Sequence, residues 1–185
     1  MLITKTTPVG IDLYIQKLQT KIHAHLTGVD GLNLVDTDVY KCYGRCYRNK
    51  TESGYIAENY ESTGEYREVY WDDNLFAISF FGLTNDVKTG VNNEVDVHLV
   101  FFANLQKCLP AITHRADEEL RLLITNIIGK HSFGFSYVST EMWIENVLKE
   151  YSGSRRDNRL SAVDMHPIHC FRINLKLLYN PNKNC

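Results

Sequence analysis

No stretch of this chain is apolar for long enough to cross a bilayer. The longest uninterrupted apolar run, LVFFA at 99 to 103, has the length of a strand, whereas a spanning helix needs about 20 residues. The opening MLITKTTPVG lacks the charged-then-apolar profile of a secretory signal, so a soluble chain made and kept in the cytosol, off the membrane, is expected. Charge of either sign is in no excess: 20 basic against 22 acidic side chains leave −2, which removes the broad basic footprint of sequence-independent nucleic-acid binding. Cysteine is scarce and odd in number. Cys42, Cys46, Cys108, Cys170 and Cys185, without a secretory signal, argue against a disulfide scaffold and for reduced thiols. Also missing are a Gly-rich phosphate loop ending in Lys-Ser/Thr, a dinucleotide fingerprint, a nucleophile elbow and the HExxH zinc helix. No cofactor is implied, and a role without catalysis is expected.

What is present suits one globular domain spanning 1–185, with 44% hydrophobic residues. In PVGIDLYIQKLQTKIHAHLTG, Ile11, Tyr14, Ile15, Leu18, Ile22 and Leu26 recur at three- and four-residue spacing, which predicts an amphipathic helix opened near Pro8 and closed at Gly28. From about residue 34 the text becomes rich in Tyr and Val, broken by the turn compositions NKTESG, ESTGE and WDDN. A meander of strands near 37–48, 54–61, 65–71 and 75–83 is expected. The middle pair has too little aliphatic content for a core on both faces and reads as a hairpin projecting at about 54–71. Its Tyr55, Tyr60, Tyr66, Tyr70 and Trp71 are then candidate interface anchors, or cross-strand pairs that only stabilise the ribbon.

Farther on, EVDVHLVFF alternates Val95, Val97, Leu99 and Phe101 with Asp96 and His98, as a strand entering a buried position does. ADEELRLLITNIIGK carries Leu120, Leu123, Ile124, Ile127 and Ile128 on one stripe, three acids in its first turn and Gly129 as its stop. A short strand (GFSYVS) and a short helix (TEMWIENVLKEYSG, apolar at Ile144, Val147, Leu148 and Tyr151) precede SGSRRDNRLS, an exposed loop. Its Arg155, Arg156 and Arg159 form a local basic cluster: candidates to face a channel, to pair with an acidic neighbouring subunit, or simply to be solvated. The fold class that follows is α+β, a mostly antiparallel sheet with a protruding hairpin, packed against two main amphipathic helices and one short helix.

Three clusters look chemical. In DMHPIHCFRINLKLLY, His169, Phe171, Ile173, Leu175, Leu177 and Tyr179 share one parity and Cys170, Arg172, Asn174 and Lys176 the other; this predicts a strand buried on one face that closes the sheet. Strand parity separates His169 from Cys170, and His166 has to turn back to meet either, so a metal site is a minority reading beside a purely structural one. In CYGRC the two sulfurs of a regular strand lie roughly 13 Å apart, beyond zinc geometry unless Gly44 bends the chain. His23 and His25 diverge around the first helix and read as surface residues. Asp86, Glu94, Asp96 and His98 are acids and a histidine at the mouth of a strand. They outline a metal-dependent nuclease or other hydrolase, against the alternative of ordinary turn chemistry.

The order of elements, carried by VDVHLVFFANLQKCLP with the helix start ADEELRLLI and by the terminal MHPIHCFRINLKLLYN, resembles the small α+β ring subunits of tailed bacteriophages. Tail-terminator and tail-completion proteins are the nearest comparison, with the neck ring proteins of short-tailed phages, including the crAss-like group, similar in role. The resemblance implies a virion structural protein, present in the host cytoplasm during assembly. It implies a homo-oligomeric ring beside portal, neck or tail proteins, with DNA passing through the lumen without specific binding. Rings need heterologous interfaces, and the tyrosine ribbon is the expected patch. A protein-binding module working through the same ribbon is the non-viral alternative.

Overall fold

The computed structural model describes residues 1–28, 37–60, 64–85, 87–154 and 166–180. Arg155, Arg156, Arg159, Asp86 and Cys185 lie outside the described residues. The expected α+β class is observed. A six-stranded sheet is built from β1 (Leu2–Ile3), β2 (Tyr40–Arg45), β6 (Ala77–Leu83), β7 (Asn93–Asn104), β9 (Ile168–Tyr179) and β8 (Phe135–Glu141), in that spatial order. A second sheet has the order β3 (Tyr47–Thr51), β4 (Gly54–Tyr60), β5 (Tyr66–Glu68). The helices are α1 (Ile11–Leu26), α2 (Leu105–Cys108), α3 (Asp117–Lys130) and α4 (Ile144–Val147).

The parity of β7 and β9 sorts the core into two layers. Val95, Val97, Leu99 and Phe101 lie opposite Leu177, Leu175, Ile173 and Phe171, and this face receives the apolar stripes of α1 and α3. Ile11, Ile15, Leu18, Ile22 and Leu26 supply the first stripe; Leu120, Ile124, Ile127 and Ile128 supply the second. On the other face Val100, Phe102 and Cys170 join Ile78 and Phe80, and are covered by Ala57, Val69, Val147, Leu148 and Tyr151. Burial of this kind contributes about 25 cal/mol per Å² of apolar surface removed from water.

Pairing within the large sheet is mixed. β1, β2 and β6 run parallel to one another, whereas β6, β7, β9 and β8 alternate antiparallel. Parallel neighbours need a crossover between them, and the crossover from β2 to β6 is the small sheet itself. The hairpin expected over 54–71 is β4 against β5, and it gains β3 as a third strand. β4 is anchored, with Ile56, Ala57 and Asn59 buried and Tyr55 O accepting from Gly153 N at 2.7 Å. Gly54, at φ 131°, allows this approach: a Cβ there sits 2.6 Å from Ser152 Oγ. Arg48, Asn49 and Lys50 of β3 and all of β5 remain exposed.

Several expectations are corrected. The strand foreseen over 37–48 changes sheets at Cys46, because a bulge between Cys42 and Arg45 inserts a residue into the pairing with β6. Four residues apart, Cys42 and Cys46 belong on one face of a regular strand; the bulge sends Cys42 to the helical layer and Cys46 to the opposite one. β9 does not close the sheet: it lies between β7 and β8, and β8 is the edge. Nor is β9 buried on one face only, since Cys170 and Arg172 on its second face are buried too. His23 is not a surface residue but is buried and stacked on Tyr40 at 5.5 Å. α3 passes through Gly129 to Lys130, and α4 is a single turn because Thr140 and Glu141 belong to β8.

Leu99 of β7, paired with Ile173 of β9, is fully buried in the layer beneath the helices. Leu99→Ala is expected to cost about 2–5 kcal/mol, read as a fall in the denaturant midpoint in equilibrium unfolding.

Candidate functional site

The five aromatic residues expected to form one surface divide into three environments. Tyr60 and Tyr66 are cross-strand partners with rings 5.0 Å apart, and Tyr66 also meets Tyr47 edge-on at 5.9 Å. Directly opposed aromatic pairs of this sort stabilise a sheet by a few tenths to 1 kcal/mol. Even so, Tyr66 stays 55% exposed and Tyr60 is exposed beside it. Lys5 stands over the Tyr47 ring at 4.9 Å and Arg45 at 4.8 Å, so the cluster is backed by two cations. A shallow groove of about 390 Å³ runs from it across Thr4, Lys5, Thr6 and Thr7.

Tyr70 and Trp71 lie elsewhere. They rim a cavity of about 200 Å³ between the two sheets, whose floor is Ala57, Ile78, Phe80 and Phe102. Tyr70 is exposed, and Trp71 is half-buried with its indole N–H donating to Asp73 at 2.9 Å. Tyr55 is capped by the Arg48 guanidinium, 3.6 Å from the ring centre. Tyr47 was not among the sequence candidates. Its signal was the register: with Tyr47 opposite Glu58 and Glu58 opposite Glu68, the ring of Tyr47 falls on the same side as the Tyr60–Tyr66 pair.

A second polar assembly lies on the opposite flank of the same sheet face. Glu94, Asp96 and His98 do share a face of β7, as their two-residue spacing requires. Each is engaged: Glu94 with Lys176 at 3.2 Å and Lys88 at 3.5 Å, Asp96 with Asn85 Nδ2 at 2.9 Å. His98 is fully buried, with Nδ1 3.1 Å from Thr84 Oγ1 and Nε2 3.0 Å from Tyr151 Oη. Burial, then the charge of Arg172, holds its pKa well below the ordinary histidine value. Gly82 is required beneath it, because a Cβ there meets Tyr151 Oη at 2.1 Å and His98 Nε2 at 2.3 Å.

Arg172, which sequence reading left on a solvated face, is 0% exposed and organises this assembly. Its guanidinium forms a two-pronged ion pair with Glu150, with Nη2 donating to Oε1 at 2.9 Å, and donates to Thr84 Oγ1 at 3.0 Å and Asn174 Oδ1 at 2.7 Å. Asn174 passes the connection to Glu141 at 2.8 Å, which also accepts from Lys149 at 2.9 Å. Burial alone raises the Glu141 carboxyl; the hydrogen bonds from Lys149 and Asn174 outweigh it and hold the pKa below the usual carboxylate value. The cluster ties the segment after α4 to the sheet and encloses its charges in mutual pairs.

The histidine and cysteine residues of the last strand do not converge. His166 is exposed and 3.3 Å from Gln106 Nε2, His169 stacks on Phe171 at 5.7 Å on the helical side, and Cys170 lies on the opposite side. Among the described residues no group of three or more His, Cys, Asp or Glu is placed to hold a metal ion, and no helix is long and apolar enough to span a membrane. Cys42 and Cys108 are buried, which pushes their thiols up to about 11 and about 12. In comparisons with known families, curated proteins and solved structures, no match to the chain is found.

Two outcomes follow for the buried cluster. Arg172→Ala leaves Glu150 unpaired in a largely buried position and is expected to cost about 3–5 kcal/mol in urea unfolding, whereas the double change Arg172→Met with Glu150→Met recovers most of the loss. His98 is neutral in the folded state and takes up a proton freely only when unfolded, so stability falls as pH drops below the unfolded value near 6.5. The expected loss is about 1.4 kcal/mol in total between pH 7.5 and 5.5, and His98→Gln is expected to remove that share of the pH dependence.

Proposed function

We propose that this protein is a virion structural protein: a subunit of an oligomeric ring at the neck or tail of a tailed bacteriophage, joining portal to tail or terminating the tail tube around the DNA channel. The observation that carries the reading is the exposed pair Tyr60 and Tyr66, backed by the half-buried Tyr47, on a small sheet whose inner strand is fixed to the body. Grouped aromatic rings left in water are anchors for another protein surface, because burying them on contact returns the hydrophobic free energy that the isolated subunit forgoes. The rigid attachment of β4 supports the same role, since an anchor held in place loses little entropy on docking.

The near-neutral composition is compatible with a lumen that lets DNA slide without capture. The paired charges around Arg172 favour a cluster that braces the fold over one that performs chemistry. The partners of this reading are further copies of the chain and the adjoining portal, neck or tail proteins.

Electron microscopy of the concentrated protein is expected to show closed rings, with Tyr60 and Tyr66 losing hydroxyl-radical labelling relative to the dilute, unassembled protein, and a Tyr60→Glu, Tyr66→Glu variant is expected to stay monomeric. Unchanged labelling of both tyrosines in assembled particles overturns the reading. So does metal-dependent DNA cleavage that is lost in Asp96→Asn.

A further inference from the structure

Two buried amides meet where α1, the end of β2 and β4 come together. Gln19 of α1 is 0% exposed and Asn59 of β4 is 4% exposed, so neither is hydrated from the bulk. With Asp12, Gln16, Gly44 and Arg45 they line a cavity of about 10 Å³, the room that one water molecule takes.

Hydrogen bonds and ion pairs satisfy most of this wall. Gln16 Oε1 accepts from Lys5 N at 3.0 Å. Asp12 is held by Lys5 Nζ at 2.6 Å and by Arg45 Nε at 2.7 Å, and Arg45 Nη2 also donates to Tyr47 Oη at 3.0 Å. The Gln19 amide is fixed in orientation: Nε2 donates to Ile3 O and Cys42 O, both at 2.8 Å, and turning the group over sets Oε1 against two carbonyl oxygens. Gln19 Oε1 is thereby left as an acceptor, and Asn59 Nδ2 as a donor, each with no hydrogen-bond partner among the described residues. Buried polar groups left in that state forfeit their desolvation cost.

We infer that this cavity binds one water molecule, which donates to Gln19 Oε1, accepts from Asn59 Nδ2 and so bridges α1 to β4. The pair selects its occupant. A cation suits Gln19 Oε1 but faces the Asn59 N–H and the Arg45 guanidinium; an anion suits those and faces Gln19 Oε1 and the Asp12 carboxylate. Water both donates and accepts, and it fits the volume.

The bridge secures the end of β4 that carries the aromatic pair. The backbone anchor of this strand, Gly153 N to Tyr55 O, lies near its start, whereas Asn59 directly precedes Tyr60. Neighbouring strand residues point to opposite faces, so the water holds the inward face while Tyr60 stays exposed beside Tyr66. The bridge stands whether or not the chain forms rings. Gly44 makes room for it: the three nearest atoms to a Cβ there all belong to the Gln19 amide, with Oε1 at 3.3 Å. Gly44 is not at positive φ, so alanine suits its backbone and the added methyl group takes the space of the water.

The test uses the full chain. Magnetic relaxation dispersion of the water oxygen counts long-lived internal waters, and amide hydrogen exchange reports how firmly β4 is held. Gly44→Ala is expected to lose one long-lived water and to speed exchange at the Asn59 end of β4 about tenfold, with the β7 and β9 amides unchanged. Asn59→Leu, which keeps the volume and removes the donor, is expected to lose the same water. An equal count in both variants and the unchanged protein overturns the inference, and so does loss of the water without faster exchange in β4. A crystal structure with Gln19 Oε1 and Asn59 Nδ2 bonded directly to each other overturns it as well. The last contrary outcome is a shift in the unfolding midpoint between sodium and ammonium at constant ionic strength that Gly44→Ala abolishes, which identifies a cation in the site.

Discussion

The structure depends on the pairing of β7 with β9. Twelve consecutive positions, from Asn93 opposite Tyr179 to Asn104 opposite Ile168, lie in uninterrupted antiparallel register. With no bulge between them the two strands keep their parity over the full length, so one face is apolar throughout and takes both long helices. The other face is graded, from Glu94 and Asp96 through His98 to Val100 and Phe102. Everything on the second face sorts itself along that gradient: the Arg172 cluster settles at its polar end, and the small sheet with α4 settles at its apolar end. Had the register slipped by one residue, both layers would have been exchanged at once.

Departures from regularity elsewhere are local and have consequences. The extra residue between Cys42 and Arg45 turns the chain out of the large sheet, and Cys46 N then bonds Phe81 O at 2.7 Å while Tyr47 begins the small one. Without that bulge, Tyr47 has no reason to stand beside Tyr66, and the aromatic cluster loses a member. The irregular pairing at Val138 acts similarly on β8, placing an apolar side chain outward where a regular ladder alternates.

Legibility in the sequence followed the range of the interactions. α1, α3 and the alternation of β7 were readable because each is written in a spacing of two or of three and four within one segment. The burial of Arg172 was not, since a charged residue in an alternating strand reads as solvated unless Glu150, 22 residues upstream, is known to meet it. His23 failed for a like reason: its place on the helix was right, but Tyr40 stacks on it from another strand. The aromatic residues of the ribbon were recognised as a group, but their division into the Tyr60–Tyr66 pair, the Tyr70–Trp71 rim and the capped Tyr55 depends on register and on Arg48, which composition does not encode. The edge position of β8 depends on the whole strand order, and so was invisible from any single stretch.

The insertion of the small sheet between two parallel strands also sets how the molecule bears load. The small sheet leaves from the end of β2 and returns at the start of β6, and in parallel neighbours those points lie at opposite ends. A pull through this crossover that draws its two attachments apart therefore drags β2 and β6 past each other along their axes. It strains their hydrogen bonds together in shear instead of opening them one at a time, which is the mechanically resistant geometry.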